Sequence, residues 1–354
     1  MSSVRPSYIE QIRAEVQATT QKQRALYSQR AQLSRNPDND LFRIKTADQW
    51  LREECGKPAT RKLLGTLWHE RELCILFADT NLGKSILAVQ IGYNLAKNCI
   101  TEPFGCEVNE PLKVLYIDFE LTAQQFRTRY THHEHGLHHF SENFVRAEFN
   151  PAGNNPVLYD HYDVYVRENI ESAIKSIRPQ VLIIDNITCV GSQTGTANGA
   201  LPLMNNLKAL KDKYKLSVLV LAHTPKRNMY QPITVNDLQG SKMLINFADS
   251  AFAIGQSQTQ SGLRYVKQIK QRNSANDYGA DNVCLFRIRQ ELSFLNMEFI
   301  GYDAELNHLQ KPGTATTEET KDRIVELNRQ GLTNRQIADN LKISVATVKR
   351  YKGG

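Results

Sequence analysis

Long apolar runs are absent from this sequence of 354 residues. No stretch approaches the roughly 18 consecutive apolar residues that a membrane-spanning helix requires. The opening segment, Met1 to Ser7, also lacks the apolar core of a secretory signal. We therefore predict a cytoplasmic protein that has no membrane partner.

Cysteine is scarce, and its spacing excludes the common cysteine motifs. No two of the six cysteines stand at the C-x-x-C spacing of zinc ribbons and redox motifs. In a chain of this size we expect them to be reduced and partly buried. They are Cys55, Cys74, Cys99, Cys106, Cys189 and Cys284.

The net charge of +7 is concentrated at the two ends of the chain. Residues 1–45 hold 8 Lys and Arg against 4 Asp and Glu, and residues 311–354 hold 9 against 5. Such basic ends suit contact with a polyanion such as DNA. For the N-terminal part, which includes a predicted polar helix over residues 8–33, solvated surface charge is an equally good explanation.

A nucleotide-binding pattern follows the apolar run at residues 73–77. The run predicts a strand, the next loop ends in Gly-Lys-Ser, and helical periodicity comes after it. This is the order of a P-loop, G-x-x-x-x-G-K-[ST], with alanine at the first glycine position. We predict bound ATP, with Lys84 on the β- and γ-phosphates and Ser85 on Mg²⁺; the alternative is a chance Gly-Lys-Ser. The predicted phosphate-binding residues are Ala78, Asp79, Thr80, Asn81, Leu82, Gly83, Lys84, Ser85 and Ile86.

Two further apolar runs end in carboxylates. Residues 181–185, Val-Leu-Ile-Ile-Asp, form a Walker B pattern, in which Asp185 would hold Mg²⁺. Residues 113–120 form the other run, and Asp118 and Glu120 lie at its end. In parallel sheets, ligands bind at the carboxyl ends of the strands. We predict that Glu120 is the general base that orients the attacking water. The alternative is that Glu120 caps the next helix.

Polar groups at the ends of two later strands extend the predicted site. His223 ends the strand over residues 216–223, where it can contact the γ-phosphate and respond to its loss. An ordinary surface histidine is the alternative. Lys270 and Arg272 end a strand far from the P-loop in sequence, which suits action on a neighbouring subunit's ATP, as an arginine finger does. The alternative is a cationic edge strand.

Five of the nine histidines crowd into residues 132–139. Their spacing can supply metal ligands, but Glu134 is the one carboxylate among them and no cysteine accompanies them. We interpret the cluster as a solvated helix end or loop, with a metal site as the alternative. The histidines are His132, His133, His135, His138 and His139.

Together these segments resemble the RecA-like ATPases, and more closely the hexameric replicative helicases of the RepA and DnaB type. The resemblance lies in residues 78–85, 114–120, 181–185, 221–223, 239–249 and 270–272, in the family's order. It implies an α/β fold with a mostly parallel sheet and a homo-oligomer, a hexameric ring, with ATP between subunits. It also implies that central loops near residues 190–200 and 225–238 grip DNA, which places Lys226 and Arg227 on DNA.

The final segment predicts three short helices. Thr316, Thr333 and Ser344 stand where each helix begins, as capping residues do. The string from Gly331 to Tyr351 resembles a helix-turn-helix of the resolvase and LuxR-like kind, whose third helix enters the major groove. A protein-binding three-helix bundle is the alternative. The predicted DNA contacts are Val345, Ala346, Thr347, Lys349 and Arg350.

The chain is thus predicted to contain an N-terminal helical arm (residues 1–44), a RecA-like P-loop ATPase core (45–308), a linker (309–316) and a helix-turn-helix DNA-binding domain (317–354). The leading hypothesis is an oligomeric DNA-dependent ATPase, a helicase or motor of a plasmid, phage or mobile element, which uses ATP and Mg²⁺. The alternative is an ATP-switched DNA-binding regulator, or a transposition or integration accessory, that does not unwind DNA.

Overall fold

Two compact units make up the chain, residues 1–59 and residues 60–354. The structure, a computed structural model, describes residues 21, 42–150, 162–187, 197–224, 227–238, 242–310, 317–341 and 343–352. In the first unit it describes helix α1 (Ala47–Glu54), where Thr46 and Gln49 form a capping box. Apart from residue 21, the helix predicted over residues 8–33 lies outside the described residues.

The second unit is organised around a nine-stranded sheet. Two short antiparallel pairs accompany it, β1 (Lys62–Leu64) with β2 (Trp68–His69), and β5 (Thr131–His132) with β6 (Gly136–Leu137). The strands of the large sheet are β3 (Leu73–Ala78), β4 (Val114–Asp118), β7 (Phe144–Glu148), β8 (Val181–Asp185), β9 (Ser217–His223), β10 (Ser250–Gln256), β11 (Leu263–Lys270), β12 (Val283–Glu291) and β13 (Phe294–Asp303).

Six of these strands run parallel, in the order β10-β3-β9-β8-β4-β7, and β11, β12 and β13 continue the sheet antiparallel beyond β10. Strand β9 therefore lies between β3 and β8. Because parallel strands end at one edge of a sheet, Ala78, Asp118, Asp185 and His223 lie along the same edge. This arrangement confirms the predicted α/β fold with a mostly parallel sheet.

Helices cover both faces of the sheet, because alternate residues of the buried strands point to opposite sides. Cys74 and Leu76 of β3 face the layer that contains α2, while Ile75 and Phe77 face the layer of α4 and α5. Residues 197–199, which we expected in a loop, begin α5. The helices are α2 (Lys84–Lys97), α3 (Ala123–Arg129), α4 (Tyr162–Ile177), α5 (Ala197–Tyr214) and α6 (Lys242–Phe247).

The histidine cluster lies in a hairpin and just after it: of our two interpretations the helix end is wrong, whereas the loop holds for every histidine except His132, which belongs to β5. Thr131 and His132 of β5 pair with Leu137 and Gly136 of β6, and residues 133–135 form the turn between them. Two residues per strand are too few to show the alternation that predicts a strand from sequence.

Three helices near the C-terminus form a small bundle: α7 (Thr317–Arg329), α8 (Asn334–Leu341) and α9 (Val345–Lys352). Two predicted caps are confirmed: the Gln336 amide donates to Thr333 Oγ1 over 3.4 Å, and the Thr347 amide donates to Ser344 Oγ over 3.1 Å. The predicted cap at residue 316 lies outside the described residues. The apolar centre of the bundle comprises Ile324, Leu327, Ile337, Ala338 and Val348.

Within the described ranges, no helix combines the length and the apolar character that a membrane span requires.

Candidate functional site

The loop between β3 and α2 has the backbone that a phosphate-binding loop needs. Ala78 belongs to β3, where it pairs with His223 of β9 and Ile254 of β10, so it needs no left-handed conformation and alanine is tolerated. The left-handed residues come later, at Asn81 (φ 64°) and Gly83 (φ 95°). Gly83 precedes α2, whose first amide groups face the loop.

Lys84 is held at the centre of this loop. Its Nζ donates to the carbonyls of Ala78 and Asp79, each over 3.0 Å, and lies 3.1 Å from Nδ1 of His223. Burial lowers the pKa of Lys84, while the carboxylates of Glu120, Asp185 and Asp79 act in the opposite direction. The ammonium is thus kept beside the loop that would receive the phosphates, as the P-loop pattern predicts.

Asp185 at the end of β8 has the features of a cation ligand. Its side chain is fully buried; Oδ2 accepts a hydrogen bond of 2.5 Å from the Tyr116 hydroxyl, and Oδ1 has no hydrogen-bond partner among the described residues. Burial raises the pKa of Asp185 to about 6, against the opposing effects of the Ser85 and Tyr116 hydroxyls. An unpaired buried carboxylate oxygen beside a serine hydroxyl fits the oxygen ligands that Mg²⁺ prefers.

Glu120 lies beside His223 rather than at a helix terminus. Helix α3 is capped by Thr122 and Gln125, so the alternative that Glu120 caps it is wrong. The Glu120 carboxylate lies 3.2 Å from His223 Nε2 and accepts a hydrogen bond from the side-chain Nδ2 of Asn186. The contact with His223 lowers the pKa of Glu120, against the opposing effect of burial.

His223 connects Lys84 to Glu120 through its two ring nitrogens. Because an ammonium group can only donate, Nδ1 accepts from Lys84. On the other side of the ring, Nε2 lies 3.2 Å from a Glu120 carboxylate oxygen and 2.8 Å from the side-chain nitrogen of Asn186. The predicted lysine, histidine and glutamate therefore form one continuous contact.

Asp118 and Arg146 form a support for Glu120 that the sequence did not reveal. Asp118 Oδ1 accepts the amides of Glu120 (3.1 Å) and Leu121 (2.9 Å), and Asp118 Oδ2 lies 2.9 Å from Arg146. Arg146 also donates to the Leu121 carbonyl and stacks over Phe126 at 4.7 Å. The residues on both sides of Glu120 are thereby fixed.

A cavity of about 250 Å³ lies against Lys84, Glu120 and His223, and Arg129 in the last turn of α3 is a further cation at its wall. Arg129 was missed, because an arginine in a polar helix carries no positional signal in a single sequence. The cavity is lined by Thr80, Asn81, Gly83, Lys84, Ser85, Ile86, Glu120, Arg129 and His223.

Lys270 and Arg272 lie near the amino ends of the parallel strands, whereas the P-loop lies at their carboxyl ends. Lys270 pairs with Ala251 near the start of β10, and it donates to the carbonyls of Ile245 (2.6 Å) and Ala248 (2.8 Å). Arg272 pairs with Asp249 at 3.2 Å and keeps 49% of its side chain exposed. Strand β11 pairs with β12 over residues 263–266 and with β10 as far as Lys270, so its cationic end pairs on one side and the edge-strand alternative stays open.

The predicted DNA contacts fall into three groups. Lys226 lies outside the described residues. Arg227 is only 6% exposed in its side chain, lies 3.8 Å from Asp237 and donates to the Gln231 carbonyl over 2.6 Å, so in this structure it is not placed for the DNA contact that we predicted. The third group is on α9.

On α9, helical spacing divides the five predicted contacts. Val345 packs against the bundle centre, which corrects its predicted place on the DNA-facing side. The Thr347 hydroxyl is engaged with Ser344 Oγ at 2.8 Å. Ala346, Lys349 and Arg350 are exposed.

Comparisons with known proteins find two family matches. Residues 39–229 match the model of the AAA domain, and residues 315–354 match the helix-turn-helix domain of resolvase. No curated protein is significantly similar. Among solved structures, a KaiC-like protein from the hyperthermophilic archaeon Pyrococcus horikoshii OT3 is similar at 14% identity and a TM-score of 0.44, over 65% of this chain and 91% of that one.

Proposed function

This chain belongs to the AAA domain family, and from that premise we propose that it is an oligomeric DNA-dependent ATPase. It joins a RecA-like P-loop ATPase domain to a resolvase-type helix-turn-helix module. The observation that supports ATP hydrolysis most directly is the meeting of Lys84, Glu120 and His223 around one cavity at the strand ends.

In this proposal the residues in and around the cavity have distinct tasks. Lys84 and the amides at the start of α2 bind the phosphates. Mg²⁺, held by Ser85 and Asp185, would supply neutralisation of phosphate charge. Glu120, kept ionised by its contact with His223, orients the attacking water. His223 responds to the γ-phosphate because it already contacts both Lys84 and Glu120.

Lys270 and Arg272 are proposed to complete the site of a neighbouring copy. Their separation from their own P-loop supports this assignment, as does the exposure of Arg272. Arg272 is also held firmly: Asp249 pairs with it, and the adjacent Asn273 donates to the buried Glu72 over 2.6 Å. A rigid exposed cation of this kind loses little conformational entropy when it binds a phosphate.

DNA binding is proposed for the exposed side of α9, with Lys349 and Arg350 as its cations and Ala346 at the base edges. A single small module binds weakly, so several copies in one ring would raise the affinity through effective concentration. We further propose that the segment after His223, which includes Lys226, faces DNA inside that ring. A motor or helicase of a plasmid, phage or mobile element would use both contacts.

A second candidate function is an ATP-switched DNA-binding regulator, or a transposition or integration accessory, without unwinding. The helix-turn-helix match favours it, because recognition of a fixed site is of little use to an enzyme that only translocates. Strand displacement on a forked DNA substrate separates the two. Unwinding supports the motor, and DNA-stimulated ATP hydrolysis without unwinding supports the regulator.

The first experiment measures phosphate release with and without DNA. Lys84→Ala should abolish hydrolysis, whereas Lys97→Ala, an exposed lysine on the same helix, should leave it unchanged. Glu120→Gln should retain ATP binding and hydrolyse ATP about 10² to 10⁴ times more slowly. Full activity in the Lys84→Ala protein would refute the ATPase assignment.

The second experiment tests the shared site by mixing two inactive proteins. Lys84→Ala keeps its Arg272, and Arg272→Ala keeps its P-loop, so a mixed oligomer contains interfaces in which both are intact. Mixing should therefore restore part of the activity. If Arg272→Ala alone is fully active, or if the mixture stays inactive, Arg272 does not act on a neighbour.

A further inference from the structure

The hairpin β5–β6 brings three potential metal ligands together. Within the described residues, His132, Glu134 and His135 are the one group of three such side chains whose ligand atoms all lie within 4.8 Å of one another. The rings of His132 and His135 are stacked at 4.9 Å between centroids. The chain direction reverses between these residues, so side chains from the strand and the turn converge.

The backbone that carries these side chains is fixed on both strands. Gln290 donates to the Thr131 carbonyl over 3.1 Å, and the Ser293 hydroxyl donates to the Gly136 carbonyl over 2.8 Å. The His138 amide donates to the Tyr130 carbonyl over 2.9 Å, immediately outside the hairpin. The ligand group therefore sits on a supported turn, which lowers the entropy cost of gathering the ligands.

The side chains are accessible to a cation, and the carboxylate of Glu134 has one exposed contact, with His133 Nε2 at 3.5 Å. Glu134 and His135 are exposed, and Nδ1 of His132 accepts a long hydrogen bond of 3.2 Å from the Glu134 amide. The lone pair of this nitrogen is thus already directed into the turn. A metal ion that took the place of the amide proton would cost one exposed hydrogen bond, which contributes little to stability.

We propose that this turn, residues 132–135, is a binding site for a borderline transition-metal cation such as Zn²⁺. Two imidazoles and one carboxylate are the donor set that Zn²⁺ shares with Cu²⁺ and Ni²⁺, whereas Mg²⁺ requires oxygen ligands. Three protein ligands leave one tetrahedral position open to water or to a fourth group. The ring of His133 lies 4.3 Å from that of His132 between centroids, which makes it a candidate for the fourth group.

The test uses the full chain purified without a polyhistidine tag and titrated with ZnCl₂ in a calorimeter, in excess Mg²⁺ and without nucleotide. His132→Ala and His135→Ala should each weaken Zn²⁺ binding at least about tenfold, because removal of supporting groups alone costs that much. Glu134→Gln should also weaken it. His139→Ala removes an exposed histidine outside the group and should bind Zn²⁺ like the wild type.

Substitution is needed because the carboxylates of the nucleotide site can also bind Zn²⁺, so stoichiometry alone does not locate the ion. Circular dichroism checks that each variant is folded. Titration with Co²⁺ adds a geometric readout, since its visible absorption distinguishes tetrahedral from octahedral coordination. The proposal is overturned if His132→Ala and His135→Ala bind Zn²⁺ like the wild type, if Glu134→Gln has no effect, or if His139→Ala loses as much affinity as they do.

Discussion

Replacement of Arg146 by methionine is the sharpest test of how the candidate catalytic glutamate is held. Arg146 is 15% exposed in its side chain, and its partner Asp118 is fully buried. The variant Arg146→Met keeps most of the side-chain volume but leaves the Asp118 carboxylate with backbone amides as its remaining hydrogen-bond donors. Removal of one partner from a buried ion pair costs about 3–5 kcal/mol.

We therefore expect Arg146→Met to lower the free energy of unfolding by about 3–5 kcal/mol, measured by urea denaturation. The double variant with Asp118→Asn should be less destabilised, because no unpaired charge remains. Arg289→Met is the matched control: Arg289 forms a 2.8 Å ion pair with Glu298 at the surface, with 64% of its side chain exposed. Its loss should cost less than about 1 kcal/mol.

The same variant should affect ATP hydrolysis more than nucleotide binding. Arg146 fixes the residues on both sides of Glu120 without lining the cavity, and a displacement of roughly 1 Å of a catalytic group can cost about 10²-fold in rate. The reasoning is refuted if Arg146→Met destabilises no more than Arg289→Met, or if the folded variant hydrolyses ATP at the wild-type rate.

Three further predictions follow from single contacts. Gly83→Ala should lower the stability by about 1–2 kcal/mol in thermal denaturation, because the backbone at Gly83 is left-handed. Gly105→Ala is the control: a methyl group there meets no atom within 4 Å and should be close to neutral. Equal effects of the two substitutions would refute this prediction. Hydrogen bonds from Lys213 and Tyr214 lower the pKa of Glu171 to about 2, so the stability that Glu171 contributes is present above pH 4.5 and is lost as the pH falls towards 2. The small difference in free energy of unfolding between the wild type and Glu171→Gln should therefore shrink over that window. A difference that stays constant would contradict this prediction. Lys349→Ala should lower the slope of the logarithm of DNA affinity against the logarithm of salt concentration by about 1, the value for one phosphate contact. Val325→Ala, at an exposed position on the first helix of the bundle, is the control and should leave that slope unchanged.

The parallel core was predictable because its strands are short and buried on both faces. Residues 181–185 and 217–223 read as nearly continuous apolar runs, and their polar ends then identify the edge where a ligand binds. The helix-turn-helix was predictable for a similar reason: local caps such as Thr333 with Gln336 mark where helices begin. In both cases the signal lies within one element.

The missed features depend on contacts between elements. Arg146 supports Glu120 because β7 pairs in register with β4, which sets Arg146 opposite Tyr116 and near Asp118. Nothing in the sequence around Arg146 specifies that neighbour. Arg227 was misjudged for the same reason, since a cation in a polar loop looks exposed until Asp237 and Gln231 enclose it.

The backbone carbonyl oxygen of Ala78 connects the phosphate-binding loop to the segment that follows His223. Ala78 O receives both the Lys84 ammonium and the Thr224 amide, each at 3.0 Å. If an anion draws Lys84 away, we expect that oxygen to keep Thr224 as its hydrogen-bond donor, and the strength of the remaining bond to change because neighbouring hydrogen bonds polarise one another. The first residue after β9 thus shares one acceptor with the lysine of the phosphate-binding loop.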